Sequence, residues 1–275
     1  MSTIFPPFFI VFIFNKTIFQ MIFTCRIGGI SMSILIIQPE DLAPAGEITT
    51  ALKMAGEHYT VFRMEENTIL PKEINKYEAL IIMGGSMGAY DDSDFPFLTE
   101  IKSAILNFYR SNKPILGICL GAQLICSAYK KAVRKMEKPE FGMMKLRKTE
   151  EGKSDPLFRN LPDTFSFMEW HEDYFELPEK AVRLATGSNC KNQAFRIGDY
   201  IYGFQFHPEV NKTILESWVK EKKNWILQQD SNFMEKMDGL VKVELSSSKR
   251  YCHQIIYEWL KLVQERRAYG SSKPL

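Results

Sequence analysis

Lys113 to Leu124 reads KPILGICLGAQL, an apolar run that meets Gly117-Ile118-Cys119-Leu120-Gly121 and passes into a helix-compatible stretch ending near Ala128. A strand that turns this sharply into a helix needs glycine on both sides of the turning residue, because side chains there would collide. The pattern therefore demands a sheet with a helix laid against it and holds the Cys119 sulfur at the sheet's carboxyl edge. The helix start carries partial positive charge, which favours a negatively charged sulfur. Cys119 is thus a candidate nucleophile. A buried structural cysteine beside a turn is the plainer alternative, and the remaining chain must decide between them.

From Met32 onward, strand and helix patterns alternate. Ser33 to Gln38 (SILIIQ) is a β-branched run of the kind found in buried parallel strands, closed by Pro39. A helical spacing follows over Gly46 to Glu57, then strands over Tyr59 to Met64 and Ala79 to Met83, and a helix over Phe97 to Arg110. This alternation predicts an α/β fold with a doubly wound, mainly parallel sheet flanked by helices and ligands at the carboxyl ends of its strands. The middle is more β-like, with strands expected over Met143 to Thr149, Thr164 to Trp170, Ala181 to Thr186, Gln193 to Ile197 and Tyr200 to Phe206. Beyond Val210 the pattern is helical over Thr213 to Leu227 and Lys249 to Ala268. Its stripes, including Trp218 and Trp225, read as core packing. The expected organisation is an N-terminal extension (1–31), one α/β domain (32–210) and a helical C-terminal extension (211–275) packed on it.

Residues 1–31 are rich in Phe and Ile, with only Lys16 and Arg26 as charges. Pro6, Pro7 and Lys16 break this stretch short of the ~20 apolar residues of a spanning helix, and neither a basic leader nor a small-residue cleavage site is visible. It reads as a dispensable extension or a misassigned start, with a membrane-associated leader or a packed part of the fold as the alternatives. The net charge of +2 gives no electrostatic case for nucleic acid. Five scattered cysteines without Cys-x-x-Cys spacing argue against a disulfide framework or a zinc site and fit a reducing, cytoplasmic setting. Neither a metal nor a cofactor is called for.

A cysteine nucleophile needs a base and a group that orients the base. Among His58, His171, His207 and His253, His207 stands out because it follows a strand and Glu209 lies two residues on, able to fix the imidazole's tautomer. The turn Met83-Gly84-Gly85-Ser86-Met87-Gly88 offers backbone N–H groups which, with that of Leu120, suit an oxyanion. It lacks the lysine and spacing of phosphate loops.

These three blocks, Gly84-Gly85, Pro114 to Gln123 and Gln205 to Glu209, resemble in order and spacing the signatures of class I (triad-type) glutamine amidotransferases. The similarity to the stand-alone subgroup resembling the amidotransferase domain of GMP synthase extends through Trp170 to Asp173 and Asn192 to Arg196. The resemblance implies the flavodoxin-like fold of that family and a Cys119, His207, Glu209 triad that cleaves the γ-amide of glutamine, or of another γ-glutamyl compound, through a thioester. It implies oxyanion donors at Gly85 and Leu120 and substrate contacts at Gln123, Trp170, His171 and Glu172. A separate ammonia-accepting synthetase subunit is the implied partner, and a non-catalytic or partner-gated subunit is the alternative function. Glu172 stands where the subgroup commonly has glycine, Ser86 where proline is frequent, and Ala128 to Ala132 lacks a usual glycine pair.

Overall fold

A computed structural model describes residues 33–66 and 69–268; the N-terminal extension expected over 1–31 lies outside the described residues. Among the described residues, nine strands form one sheet in the order β2-β1-β3-β4-β9-β8-β7-β5-β6. Strands β1 (Ser33–Gln38), β2 (His58–Arg63), β3 (Ala79–Ile82), β4 (Ile115–Ile118) and β9 (Ile201–Phe204) are all parallel. Their continuous apolar runs suit a sheet covered on both faces: β1 is buried from Ile34 onward, and β3, β4 and β9 are buried throughout. Helices α1 (Gly46–Met54) and α2 (Phe97–Arg110) supply crossovers between parallel strands, and α3 (Leu120–Ala128) leads from β4 toward β5. In α2, Leu98, Ile101, Ile105 and Phe108 form the buried stripe expected from their spacing.

The second half of the sheet is antiparallel: β8 (Ala194–Ile197) pairs with β9, then come β7 (Ala181–Thr186), β5 (Val133–Lys148) and β6 (Thr164–Phe175). It curls back until β6 meets the chain leaving β9, where the His207 N–H donates to the Met168 carbonyl at 2.8 Å. Strand β5 starts ten residues before the expected Met143. Its first part, with Pro139 and several charges, reads as loop in sequence, yet it pairs with β6 alone through a register shift between Lys135 and Glu140. Bulges and proline are tolerated on such a one-sided strand.

A short helix, α4 (Glu150–Ser154), is capped by the Thr149 hydroxyl. The C-terminal helices are α5 (Lys212–Gln229), α6 (Phe233–Gly239) and α7 (Leu245–Ala268). Asn211 caps α5 by accepting from the Ile214 N–H, and Lys222 interrupts it at φ −123°, ψ 24°. Along α7, Cys252, Ile255, Ile256, Trp259 and Val263 join the same core as Ile48 and Leu52 of α1, while His253 bonds Glu47 at 2.8 Å. Among the described residues no helix is long and apolar enough to cross a membrane.

Candidate active site

The turn after β4 shows why glycine flanks Cys119. A methyl group on Gly121 would lie 2.2 Å from the Ile82 carbonyl oxygen, and one on Gly117 2.6 Å from the Gly121 backbone. Helix α3 is therefore driven hard against β3 and β4. Cys119 takes up the remaining bend at φ 50°, ψ −106°, a left-handed conformation that costs about 1–3 kcal/mol and persists only where the surroundings enforce it. Its N–H donates to the Phe204 carbonyl at 2.7 Å and its own carbonyl accepts from the Gln123 N–H at 3.0 Å, pinning both sides of the bend.

Three carboxyl strand ends converge there. A methyl group on Gly84, after β3, would stand 3.3 Å from His207 Cε1 and 3.6 Å from Cys119 Cβ, so that glycine lies between the two side chains. One on Gly85 would reach within 3.0 Å of the Leu120 side chain, bringing the two expected oxyanion donors into one neighbourhood. The turn is held by the Ser86 N–H donating to Glu40 at 2.6 Å and the Gly88 N–H to Asp91 at 2.7 Å. Leu120 opens α3, so its N–H is among those a helix start leaves without an intrahelical partner.

His207 is buried and bonds Glu209 Oε1 through Nδ1 at 2.7 Å. Its Nε2 has no hydrogen-bond partner among the described residues. Burial alone would lower the His207 pKa, but the Glu209 carboxylate and the Cys119 sulfur outweigh it and hold the imidazole well above its ordinary value. A base so placed gains its proton readily as the thiol loses one.

Cys119, His207, Gly85, Gln123, Trp170, His171 and Glu172 border one cavity of about 500 Å³. Glu209 and Leu120 do not border it, but each touches a residue that does, Glu209 the His207 ring and Leu120 Gly85. The Gln123 amide donates to Gln205 Oε1 at 3.3 Å, and Gln205 in turn reaches the Cys119 sulfur at 3.5 Å. Sequence reasoning assigns Gln205 no role of its own; its place directly before Phe206 and His207 at a strand end is the available signal. The His171 side chain turns inward, with Nδ1 on the Asp173 carbonyl and Nε2 on Glu140 Oε2, both at 2.9 Å. Glu172 points out toward Lys135 at 3.6 Å.

Behind His171 lies a buried cluster. Glu140 also accepts from Gln193 Nε2 at 2.8 Å and from the Cys190 N–H at 3.2 Å, while Glu169 Oε2 stands 3.3 Å from His171 Nε2 without a hydrogen bond. Burial opposes charge on both partners, yet the ion pair prevails: His171 is raised to about 10 and Glu140 is lowered. Glu169 is raised by burial. Glu140, His171 and Cys190 place ligand-type atoms within 4.8 Å of one another, but the Glu140 oxygens and both His171 nitrogens are already committed to the ion pair and its hydrogen bonds.

Helix α5 supplies the far wall. Trp218 and Trp225, expected to be core, border the cavity with Lys222. The Trp218 ring stands edge-on to His207 at 5.3 Å and to Trp170 at 4.8 Å, and its Nε1–H donates to the Leu42 carbonyl at 2.7 Å. Trp225 stacks on Trp170 at 5.2 Å.

The family model for class I glutamine amidotransferases matches residues 46–223. The GMP synthase of Thermosipho africanus is 36% identical over 201 residues, covering 66% of this chain and 37% of that protein. The chain thus spans little more than a third of that relative's length. A glutamine-hydrolyzing GMP synthase subunit of Sulfurisphaera tokodaii is 37% identical over 158 residues, 57% of this chain and 79% of the relative. Gamma-glutamyl peptidase 3 of Arabidopsis thaliana is 28% identical over 183 residues, 63% of this chain and 72% of the relative. A glutamine amidotransferase structure from Thermotoga maritima superposes with a TM-score of 0.72 at 24% identity, over 86% of this chain and 100% of that one, a likeness of fold.

Proposed function

The chain belongs to the class I glutamine amidotransferase family, and from that membership we propose that it hydrolyses the γ-amide of glutamine or of a γ-glutamyl compound through Cys119, His207 and Glu209. The Cys119 thiol gives its proton to His207 Nε2 as the sulfur attacks the γ-carbonyl carbon. The N–H groups of Gly85 and Leu120 hold the oxyanion. Collapse breaks the C–N bond, His207 protonates the departing amine, and a γ-glutamyl thioester remains. Water, deprotonated by His207, then attacks the thioester, releasing glutamate and returning the proton to sulfur. Glu209 keeps Nε2 turned to the sulfur and stabilises the imidazolium. Gln123 and the main chain of Trp170 to Glu172 hold the glutamyl part.

The observation that carries this reading is His207, whose Nδ1 is taken by Glu209 while its Nε2 has no partner among the described residues and the ring borders the same cavity as Cys119. Glutamate release by the full chain is expected to fall roughly 10⁴-fold in Cys119→Ala; full retention overturns the proposal. The relative from Sulfurisphaera tokodaii, named as one subunit of a GMP synthase, favours a second reading, in which a separate synthetase subunit takes up the ammonia and gates the site. A folded chain silent on every γ-glutamyl compound until a co-purifying partner is added selects that reading.

A further inference from the structure

The cavity asks for more than glutamine. Its volume of about 500 Å³ falls within the roughly 300–1,000 Å³ of sites that enclose drug-sized ligands, larger than one amino acid fills. The two ends differ in chemistry. Gln123, Asp173 and Tyr90 form one linked group on the lining, the Gln123 amide donating to the Asp173 carbonyl at 3.5 Å and the Tyr90 hydroxyl to its carboxylate at 3.3 Å, and this group takes the glutamyl part. The other group, Trp218, Lys222 and Trp225 of α5, meets His207 through the Trp218 ring.

This side faces whatever leaves. His207 protonates the departing amine, so the group attached to that amine must lie beside the His207 ring, where Trp218 stands at 5.3 Å. Ammonia has no use for such a wall. Four residues past Trp218 the helix is interrupted at Lys222, whose exposed side chain borders the cavity and has no hydrogen-bond or ion-pair partner among the described residues. The other lysine on the cavity, Lys135, is 3.6 Å from Glu172. Nearby Glu40 is turned to the Ser86 N–H.

We propose that α5 builds a leaving-group subsite in which Trp218 and Trp225 receive an apolar or aromatic side chain and Lys222 a carboxylate, so that the enzyme selects γ-glutamyl dipeptides with an apolar second residue over glutamine. This rests on the hydrolase reading above and follows the same balanced steps, the leaving amine being that of an amino acid instead of ammonia.

Binding decides the matter independently of turnover. Cys119→Ala, which leaves substrate intact, is titrated by calorimetry with γ-glutamyl-phenylalanine, its C-terminal amide, γ-glutamyl-glycine and glutamine. The phenylalanine dipeptide is expected to bind roughly tenfold tighter than the glycine one through aromatic contact, and about three- to fivefold tighter than its own amide through Lys222. Adding Lys222→Gln should bring the acid-to-amide ratio close to one. Equal affinity for all four ligands, or an acid-to-amide ratio that survives Lys222→Gln, overturns the subsite. Glutamate release by the wild-type chain is measured beside it. Turnover without any preference among these compounds overturns the subsite and leaves the hydrolase reading standing, whereas the expected binding order in a folded chain that never turns over supports the subsite and counts against unaided hydrolysis.

Discussion

His207 and His171 both border the cavity, both are buried and both lean on a glutamate, yet they are built for opposite ends. His207 spends one nitrogen on Glu209 and leaves the other without a partner among the described residues, on a ring that borders the same cavity as Cys119. His171 has both nitrogens committed, one to a carbonyl and one between Glu140 and Glu169. A proton that must move needs an uncommitted nitrogen facing the reacting atom; a proton that must stay is fixed from both sides. The first arrangement suits chemistry, and the second clamps Trp170 to Asp173 in place beside the sulfur, with the Trp170 carbonyl 3.8 Å from it.

The contrast breaks most readily at turnover. His207→Gln is expected to lower kcat for glutamate release by roughly 10³–10⁴-fold, whereas His171→Gln should lower it about tenfold or less. Equal losses in kcat would erase the distinction. Stability should not separate the two, because each substitution leaves a buried glutamate, Glu209 or Glu140, without its counter-charge. His171→Gln leaves Glu140 buried without its counter-charge, which costs about 3–5 kcal/mol in denaturant unfolding.

The same pair sets a pH signature. His171 titrates near its ordinary 6.5 when unfolded and near 10 when folded, so its contribution is complete below pH 6.5 and disappears as pH rises through about 10. Glu140, lowered from 4.5 in the fold, contributes above pH 4.5 and loses that contribution as pH falls through its folded value. Melting temperature should therefore decline between pH 6.5 and 10 in the wild type, and His171→Gln should make that limb shallower, leaving the share of His207, which is raised in the fold as well. Glu209→Gln comes next, an expected loss of about 10²-fold in kcat with the fold intact. Glu169→Gln is the mildest, within about 1 kcal/mol of wild-type stability, because burial already favours the uncharged carboxyl; a loss as large as that of His171→Gln would place Glu169 inside the ion pair.

Legibility in the sequence tracks distance along the chain. The β4-to-α3 turn depends on glycines two residues either side of Cys119, and His207 meets Glu209 two residues on, so both can be read locally. The His171 cluster cannot, because Glu140 comes from 31 residues upstream, in the charged, proline-bearing start of β5 that reads as loop. Trp218 and Trp225 show a different limit. Helical spacing marks them for burial, and a cavity wall buries an aromatic ring as well as a core does. Only the position of α5 over His207 separates the two.

The burial of the other described thiols has a practical consequence. Cys126, Cys190 and Cys252 are all buried, with pKa values raised by that burial, for Cys190 to about 12, and none borders the cavity. Among the described cysteines, only Cys119 stands where a small electrophile can reach it from the cavity. Alkylation read on the Cys119 peptide by mass thus reports the functional site directly, and protection by a bound γ-glutamyl compound turns the same label into a meter of occupancy.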